Sequence, residues 1–235
     1  MTSTWQHAAA SLVVDLKRIF AFRLRSVVAY GPQLDGNTDH PLTCLVLVDS
    51  LSTSDLEGCA RMAHHWKHHD LAIPLILPTQ EFRRSLDAFP LEYSEILRTH
   101  ARVFGDDPLE GVSISPEDLR RACETQVKSH LVHLREGFIE SGGVPREVAE
   151  LVRASAPSFA ALLRSVARLS GTSPPGRADA ARAGADFAGL AEAIVTDMLS
   201  LEQQTNLPAI DAARLFPSYL EAVEQLARTV DGWRG

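Results

Sequence analysis

Two short apolar segments on either side of a turn-rich stretch restrict the possible folds of the N-terminal half. Residues 26–30 (SVVAY) are β-branched at their centre, and residues 42–48 (LTCLVLV) form an apolar run that barely alternates. Residues 31–41 between them are crowded with glycine, proline, asparagine and aspartate, which favour loops. We therefore predict two strands joined by a loop, with the second strand buried on both faces.

The surrounding sequence predicts helices and further strands. Apolar residues recur at three- and four-residue steps over residues 5–20, which is typical of an amphipathic helix. Ser54 and Glu57 have the spacing of a capping box that opens a second helix. After residues 42–48, the predicted order is a helix from Ser54 to about 69, a strand at 72–77, a helix at 79–86 and extended segments at 91–97 and 102–104. This order favours a mixed sheet with helices packed against it.

The pattern changes near Pro108. Ser115-Pro116-Glu117-Asp118 is a strong helix start, because it offers a capping hydroxyl, a proline at the first helical position and acids at the positive end of the helix dipole. The predicted helices cover 116–140, 145–169 with a possible break at Pro157, 178–203 and 216–230, with a turn or linker at 170–177. The fold class is therefore α+β: a small mixed-sheet domain at 1–110 followed by an all-α helical bundle at 111–235.

Ser26 to Pro32, then Gly36, then residues 43–48 resemble the core motif of the nucleotidyltransferase superfamily. In that family a strand ends in Gly-Ser, a glycine-containing loop follows, and the next strand carries two acids separated by one residue. Matching Gly31 to the motif glycine places the acid positions at Thr43 and Leu45 and the serine position at Pro32. Residues 74–77, 89–93 and 102–109 look like a subgroup with a helical C-terminal half. The resemblance extends from about residue 10 to 140.

The departures from the motif bear on activity. In the family these positions serve nucleotidyl transfer, which requires Mg²⁺ held by oxygen ligands that normally include carboxylates. Thr43 offers one neutral oxygen and Leu45 offers none, while Pro32 lacks both the hydroxyl and the N–H that help to hold phosphate. The resemblance therefore implies a degenerate catalytic motif, with Gly31, Pro32 and Gly36 left as candidates for contact with a nucleotide.

Other acids could replace the missing pair, so the catalytic residues stay unknown. Asp35, Asp39 and Asp49 flank the same loop and strand, and Glu92 or Glu95 could occupy the place of a third acid on a neighbouring strand. Each of these residues is also typical of a solvated loop or strand end.

The composition of the chain limits the kinds of partner that the protein can bind. The net charge is −7, so general DNA binding is disfavoured unless basic residues gather on one face. The apolar runs are far shorter than a membrane-spanning helix, and no leader opens the chain, so we expect a cytoplasmic protein with no membrane association. The three cysteines form no CxxC pair, which argues against a disulfide framework or a thiolate zinc site.

Four histidines fall on one predicted helix at four-residue spacing: His64 with His68, and His65 with His69. Each pair could chelate a transition metal, but the glutamate of an HExxH motif is missing. The expectation is therefore no physiological metal, and a polar helix face that binds nickel adventitiously. Such a cluster could also sense pH.

Basic residues at Lys17, Arg18, Arg23 and Arg25, with pairs at 83–84 and 120–121, could bind a phosphorylated ligand or an RNA end if the fold gathers them around Gly31. Solvated helix faces are the commoner explanation. In the helical half, His130 and His133 do not have the arginine-to-histidine spacing of the small ribonuclease-like domains often found beside nucleotidyltransferases.

Three functions stay open. The leading hypothesis is a nucleotidyltransferase-like pseudoenzyme that binds a nucleotide, another ligand or a protein partner and needs no cofactor. The second is an active nucleotidyltransferase with displaced acids that uses Mg²⁺ and ATP or another NTP. The third is a structural scaffold whose helical half supplies a homodimer interface.

Overall fold

The computed structural model describes residues 4–34, 36, 40–172, 174, 176–203 and 209–234. The N-terminal unit, Met1–Ser115, is built on a four-stranded sheet of order β3-β2-β1-β4. Its strands are β1 (Leu24–Tyr30), β2 (Thr43–Val48), β3 (Leu75–Pro78) and β4 (His100–Gly105). Strand β1 runs antiparallel to β2 and β4, whereas β3 is parallel to β2, so the sheet is mixed as predicted.

Helices cover both faces of this sheet. They are α1 (Thr4–Phe20), followed by a 3-10 turn (Ala21–Arg23), then α2 (Thr53–His68), α3 (Thr79–Arg84) and α4 (Pro90–Arg98). Cys44, Val46 and Val48 of β2 share one apolar cluster with residues of α1 and α2. Leu45 and Leu47 belong to a second cluster with residues of α3 and α4. Burial of β2 on both faces, expected from its unbroken apolar run, is confirmed.

The capping box that opens α2 lies two residues earlier than predicted. The hydroxyl of Ser52, not of Ser54, accepts from the backbone N–H of Asp55, and the Asp55 carboxylate accepts from the backbone N–H of Ser52. Arg23 also donates to both carboxylate oxygens of Asp55, at 2.8 and 2.7 Å, and this pairing lowers the pKa of Asp55. Asp55 is only 5% exposed, so its ion pair with Arg23 favours Ser52 and Asp55, and not Ser54 and Glu57, as the capping pair.

The extended segment predicted at 91–97 is wrong, because these residues lie in α4. Pro90 occupies the first helical position, where its fixed φ favours a helix and its missing N–H has no cost. Leu91, Tyr93 and Ile96 are buried in this helix. The remaining strand and helix predictions of this unit correspond to β1, β2, β3, β4, α1, α2 and α3 within a few residues.

The second unit, Pro116–Gly235, is all-helical in its described residues. Its helices are α5 (Pro116–Glu140), α6 (Pro145–Leu169), α7 (Arg177–Phe187), α8 (Glu192–Gln203) and α9 (Ala209–Gly232). Helix α6 continues through Pro157. The single helix predicted at 178–203 is wrong, because Gly189 adopts a left-handed φ of +67° and the N–H of Leu190 bonds to the carbonyl of Ala185. This geometry ends α7 as a glycine C-cap.

Helix α7 lies against the backbone of α6. A Cβ atom added to Gly184 would lie 1.9 Å from the carbonyl oxygen of Leu163 and 3.1 Å from the backbone nitrogen of Ala167. Ala181 and Ala185 on either side of Gly184 are buried. The two helices are therefore in contact through small residues, backbone against backbone.

Among the described residues, no helix has both the length and the apolar character needed to cross a membrane.

Candidate functional site

The loop after β1 starts with a glycine that no other residue would replace easily. Gly31 has φ +90°, in the left-handed region, and a Cβ there would lie 2.8 Å from the Thr43 hydroxyl oxygen. The N–H of Leu34 bonds to the carbonyl of Gly31, which closes a turn. Pro32, inside this turn, has no N–H to offer a ligand. Gly36 also has a left-handed φ of +89°, but the space around it is open.

Thr43 is the first residue of β2 and pairs with Tyr30, the last residue of β1. Its hydroxyl donates to the backbone carbonyl of Tyr30 at 2.6 Å. The hydroxyl hydrogen is therefore used within the β1–β2 pair. The Thr43 oxygen keeps acceptor capacity, but it is a single neutral oxygen.

Leu45 lies two residues further along β2 and is 0% exposed. It pairs with Val28 on one side and with Leu75 on the other. Its apolar cluster also contains buried residues of α3, α4 and the segment after β4: Phe82, Tyr93, Ile96 and Leu109. The side chain at this position therefore lies in an apolar core and not at an open edge of the sheet.

The acids considered as replacements are dispersed. Asp49 follows the last residue of β2, about 20 Å along the strand from Thr43, and Arg25 donates to both of its oxygens at 2.5 and 2.6 Å. This pairing lowers the pKa of Asp49. Glu92 and Glu95 both lie in α4, so their predicted place on a strand is wrong: Glu92 is exposed in the first turn, whereas Glu95 is near Tyr30. Asp35 and Asp39 lie outside the described residues.

His100, which no sequence pattern indicated, lies at the Gly31 end of the sheet. His100 pairs with Tyr30 across β1 and β4, so the two side chains share a face with Thr43. The Nε2 atom of His100 lies 3.5 Å from an oxygen of Asp107. Burial, followed by nearby Cys44 and Glu95, raises the pKa of Tyr30 and keeps its phenol protonated at neutral pH. A phenol, an imidazole and a hydroxyl are therefore neighbours at this end of the sheet.

The basic residues near β1 do not gather at Gly31. Arg23 and Arg25 flank the start of β1, whereas Gly31 follows its end. Asp55 and Asp49 neutralise these two arginines, and Arg18 lies 3.6 Å from Asp15. Lys17 stacks over the Phe104 ring. In the second unit, Arg120 and Arg121 pair with Glu124 and Glu117. These ion pairs reduce any attraction that the arginines exert on a phosphate.

The four histidines at the end of α2, of which His69 is the first residue beyond the helix, form two pairs, as their spacing indicated. The His64 and His68 Nε2 atoms are 3.0 Å apart, and the ring centroids of His65 and His69 are 4.5 Å apart. Within the part of the chain that the structure describes, no group of three or more metal-ligating side chains converges.

In the helical unit, His130 is a packing residue. Its Nε2 atom is 2.7 Å from the Tyr219 hydroxyl, and its ring stacks on Phe159. Burial, with a smaller contribution from His133, lowers the pKa of His130 from 6.5 to about 4. The ring is therefore neutral at pH 7.

We expect His130 to make the helical unit sensitive to mild acid. The unfolded chain binds a proton at His130 as the pH falls through 6.5, while the native chain resists until about 4. The free energy of unfolding should therefore fall by about 3 kcal/mol between pH 6.5 and pH 4. Urea unfolding across this range measures the loss. In His130→Gln this fall in the free energy of unfolding should be absent, whereas His7→Gln, at an exposed position, should keep it. The same pH dependence in both variants would show that His130 is not its source.

The arrangement of strands and helices is the nucleotidyltransferase fold, with a small mixed sheet and a helical C-terminal half. Among solved structures, the chain is similar to the spectinomycin adenyltransferase of Enterococcus faecialis, whose crystal structure contains ATP and spectinomycin. The TM-score is 0.61 and the sequence identity 12%, over 98% of this chain and 100% of the other. No model of a known protein family matches the chain, and no curated protein does. At this identity the similarity shows the fold alone.

Proposed function

We propose that this protein has a nucleotidyltransferase-like fold without nucleotidyl transfer, and that it binds a ligand at the Gly31 end of the sheet. The observation that carries the proposal is the environment of Leu45. The resemblance places the second acid position of the motif at Leu45, and this residue lies in an apolar cluster at 0% exposure.

The donor set at these positions does not fit Mg²⁺. This ion requires six oxygen ligands in a near-ideal octahedron, with at least one or two carboxylates in most protein sites. Thr43 provides one neutral oxygen, and its hydroxyl already donates to the Tyr30 carbonyl. Because a carboxylate attracts a divalent ion far more strongly than a hydroxyl dipole does, we expect no tight magnesium binding here.

The groups that do meet near Gly31 favour a ligand held by hydrogen bonds. Tyr30 supplies a protonated phenol, and His100, beside Asp107, supplies an imidazole. These are donors and acceptors suited to a polar ring or a phosphate oxygen. ATP is the first ligand to test, because the similar adenyltransferase was crystallised with it.

Two alternatives predict different results. An active enzyme with displaced acids would need a pair of carboxylates close to Thr43. Asp49 lies at the far end of β2 and is paired with Arg25, and Glu95, which is near Tyr30, lies 3.5 Å from Arg98. A scaffold whose helical half forms a homodimer would bind no nucleotide at all.

Calorimetric titration with ATP, in excess Mg²⁺ and in chelator, tests the proposal. We expect the two affinities to agree within about threefold, since no metal bridges protein and triphosphate. His100→Gln should weaken ATP binding by about tenfold, whereas His7→Gln, an exposed control on α1, should not change it. Tightening by more than tenfold with Mg²⁺, or transfer of label from radioactive ATP, would overturn the proposal in favour of an enzyme. Absence of binding would overturn it in favour of the scaffold.

A further inference from the structure

We propose that His64 and His68 on α2 form a two-point binding site for a divalent late transition-metal ion, with Cu²⁺ bound most tightly. Both residues lie within α2, one helical turn apart, and both are exposed. The regular helix backbone therefore fixes the distance between their Cα atoms before any metal arrives.

The distance between the two ring nitrogens is compatible with binding one metal ion. With metal–nitrogen bonds of about 2.0–2.1 Å, two ligands at 90° are about 2.9 Å apart, and two ligands at the tetrahedral angle are about 3.3 Å apart. The Nε2 atoms of His64 and His68 are 3.0 Å apart. This separation, now that of a hydrogen bond, shows that both nitrogens are within reach of one ion, and among divalent first-row ions Cu²⁺ binds such nitrogen ligands most tightly.

Metal binding at this pair requires little rearrangement. The two rings are perpendicular, and one Nε2–H donates to the other Nε2. When a metal ion replaces this hydrogen bond, the donating ring carries its hydrogen on Nδ1, and rotation of the rings directs both lone pairs at the ion. Neutral imidazole adopts either tautomer. Because no third protein ligand converges here within the described residues, water completes the coordination shell.

The neighbouring pair, His65 and His69, is less suited to this role. His65 Nε2 lies 3.9 Å from the buried carboxylate of Asp15, which accepts a hydrogen bond from the Trp66 indole N–H at 3.1 Å. This interaction holds the His65 ring toward α1. His69 follows the last residue of α2, so its backbone is no longer helical. These two histidines therefore provide a matched control with the same residue type and spacing.

The site is independent of the proposed function. Trp66, on α2 beside these histidines, packs in the cluster on one face of the sheet, while Leu45 packs in the cluster on the other. Failure of the metal site would leave the ligand proposal untouched, and the reverse also holds.

Calorimetric titration of the full, untagged chain with Cu²⁺ tests the proposal. We expect one site per chain, weakened at least about tenfold by His64→Gln or His68→Gln and changed less than about twofold by the double variant His65→Gln/His69→Gln. Glutamine is a good helix former at exposed positions, so these variants should fold. The proposal would be overturned if the unaltered chain bound no Cu²⁺. It would also be overturned if the His64 and His68 variants and the His65/His69 double variant weakened binding equally, or if none of them weakened it.

Electron paramagnetic resonance and urea unfolding add structural readouts. The Cu²⁺ spectrum should show coupling to two nitrogens in the unaltered chain and in His65→Gln/His69→Gln, and to at most one in His68→Gln. Cu²⁺ should also raise the urea midpoint of the unaltered chain but not of His68→Gln, because binding to the native helix stabilises it. Two-nitrogen coupling that persists in His68→Gln would place the ion elsewhere.

Discussion

Leu45→Asp should unfold the N-terminal unit. The substitution removes a fully buried side chain from the cluster around Phe82 and Ile96 and places a carboxylate there without a partner. Loss of the leucine costs about 2–5 kcal/mol, and an unpaired polar group in an apolar core costs at least about 2 kcal/mol more. A total of roughly 4 kcal/mol or more is close to the whole stability of many domains. Urea unfolding and near-ultraviolet circular dichroism measure this loss.

Two further variants make the result specific. Leu45→Met keeps the volume and the apolar character, so we expect a cost below about 1.5 kcal/mol. Thr43→Asp lies at the half-buried end of the strand and loses one hydrogen bond to Tyr30, so we expect a cost of about 1–2 kcal/mol. If Leu45→Asp instead unfolds with the same midpoint as the unaltered chain, the strand has room for the missing acid. The proposal of an inactive fold would then lose its main support.

Gly184→Ala should strongly destabilise the helical unit. Alanine is the better helix former by about 1 kcal/mol, so propensity alone predicts stabilisation. The added Cβ would, however, lie 1.9 Å from the carbonyl oxygen of Leu163. Its three nearest atoms all belong to the backbone of α6, which cannot move without shifting that helix. Overpacking of this kind costs about 3 kcal/mol or more, so the clash outweighs the propensity. Thermal unfolding monitored by circular dichroism measures the change.

Gly137→Ala is the matched control for this substitution. Gly137 is also within a long helix, α5, but its added Cβ would approach the tip of the Leu151 side chain at 2.6 Å. A flexible side chain can change rotamer, so the gain in helix propensity should offset most of the cost. Similar melting temperatures for the two variants would contradict the close approach of α6 and α7.

The candidate site was predictable only in part. The spacing of Gly31, Gly36 and residues 43–48 indicated a strand, a loop and a strand, and the structure has β1 and β2 joined there with both glycines in left-handed conformations. His100 was not predictable, because it reaches Tyr30 through a pairing of strands 70 residues apart in sequence. No local pattern in a sequence specifies which strand joins a sheet edge.

Local physical chemistry determined most helices and strands from the sequence alone. Apolar periodicity located α1, the apolar run located β2, and Ser115 with Pro116 located the start of α5. Tertiary structure decided what local patterns leave open. The segment after Pro90 is helical because Tyr93 and Ile96 bury in the cluster that contains β1 and β2 residues, and Gly184 is required because another backbone lies where its Cβ would be. The reason is that burial and steric exclusion depend on residues far away in the chain, whereas caps and periodicity depend only on neighbours.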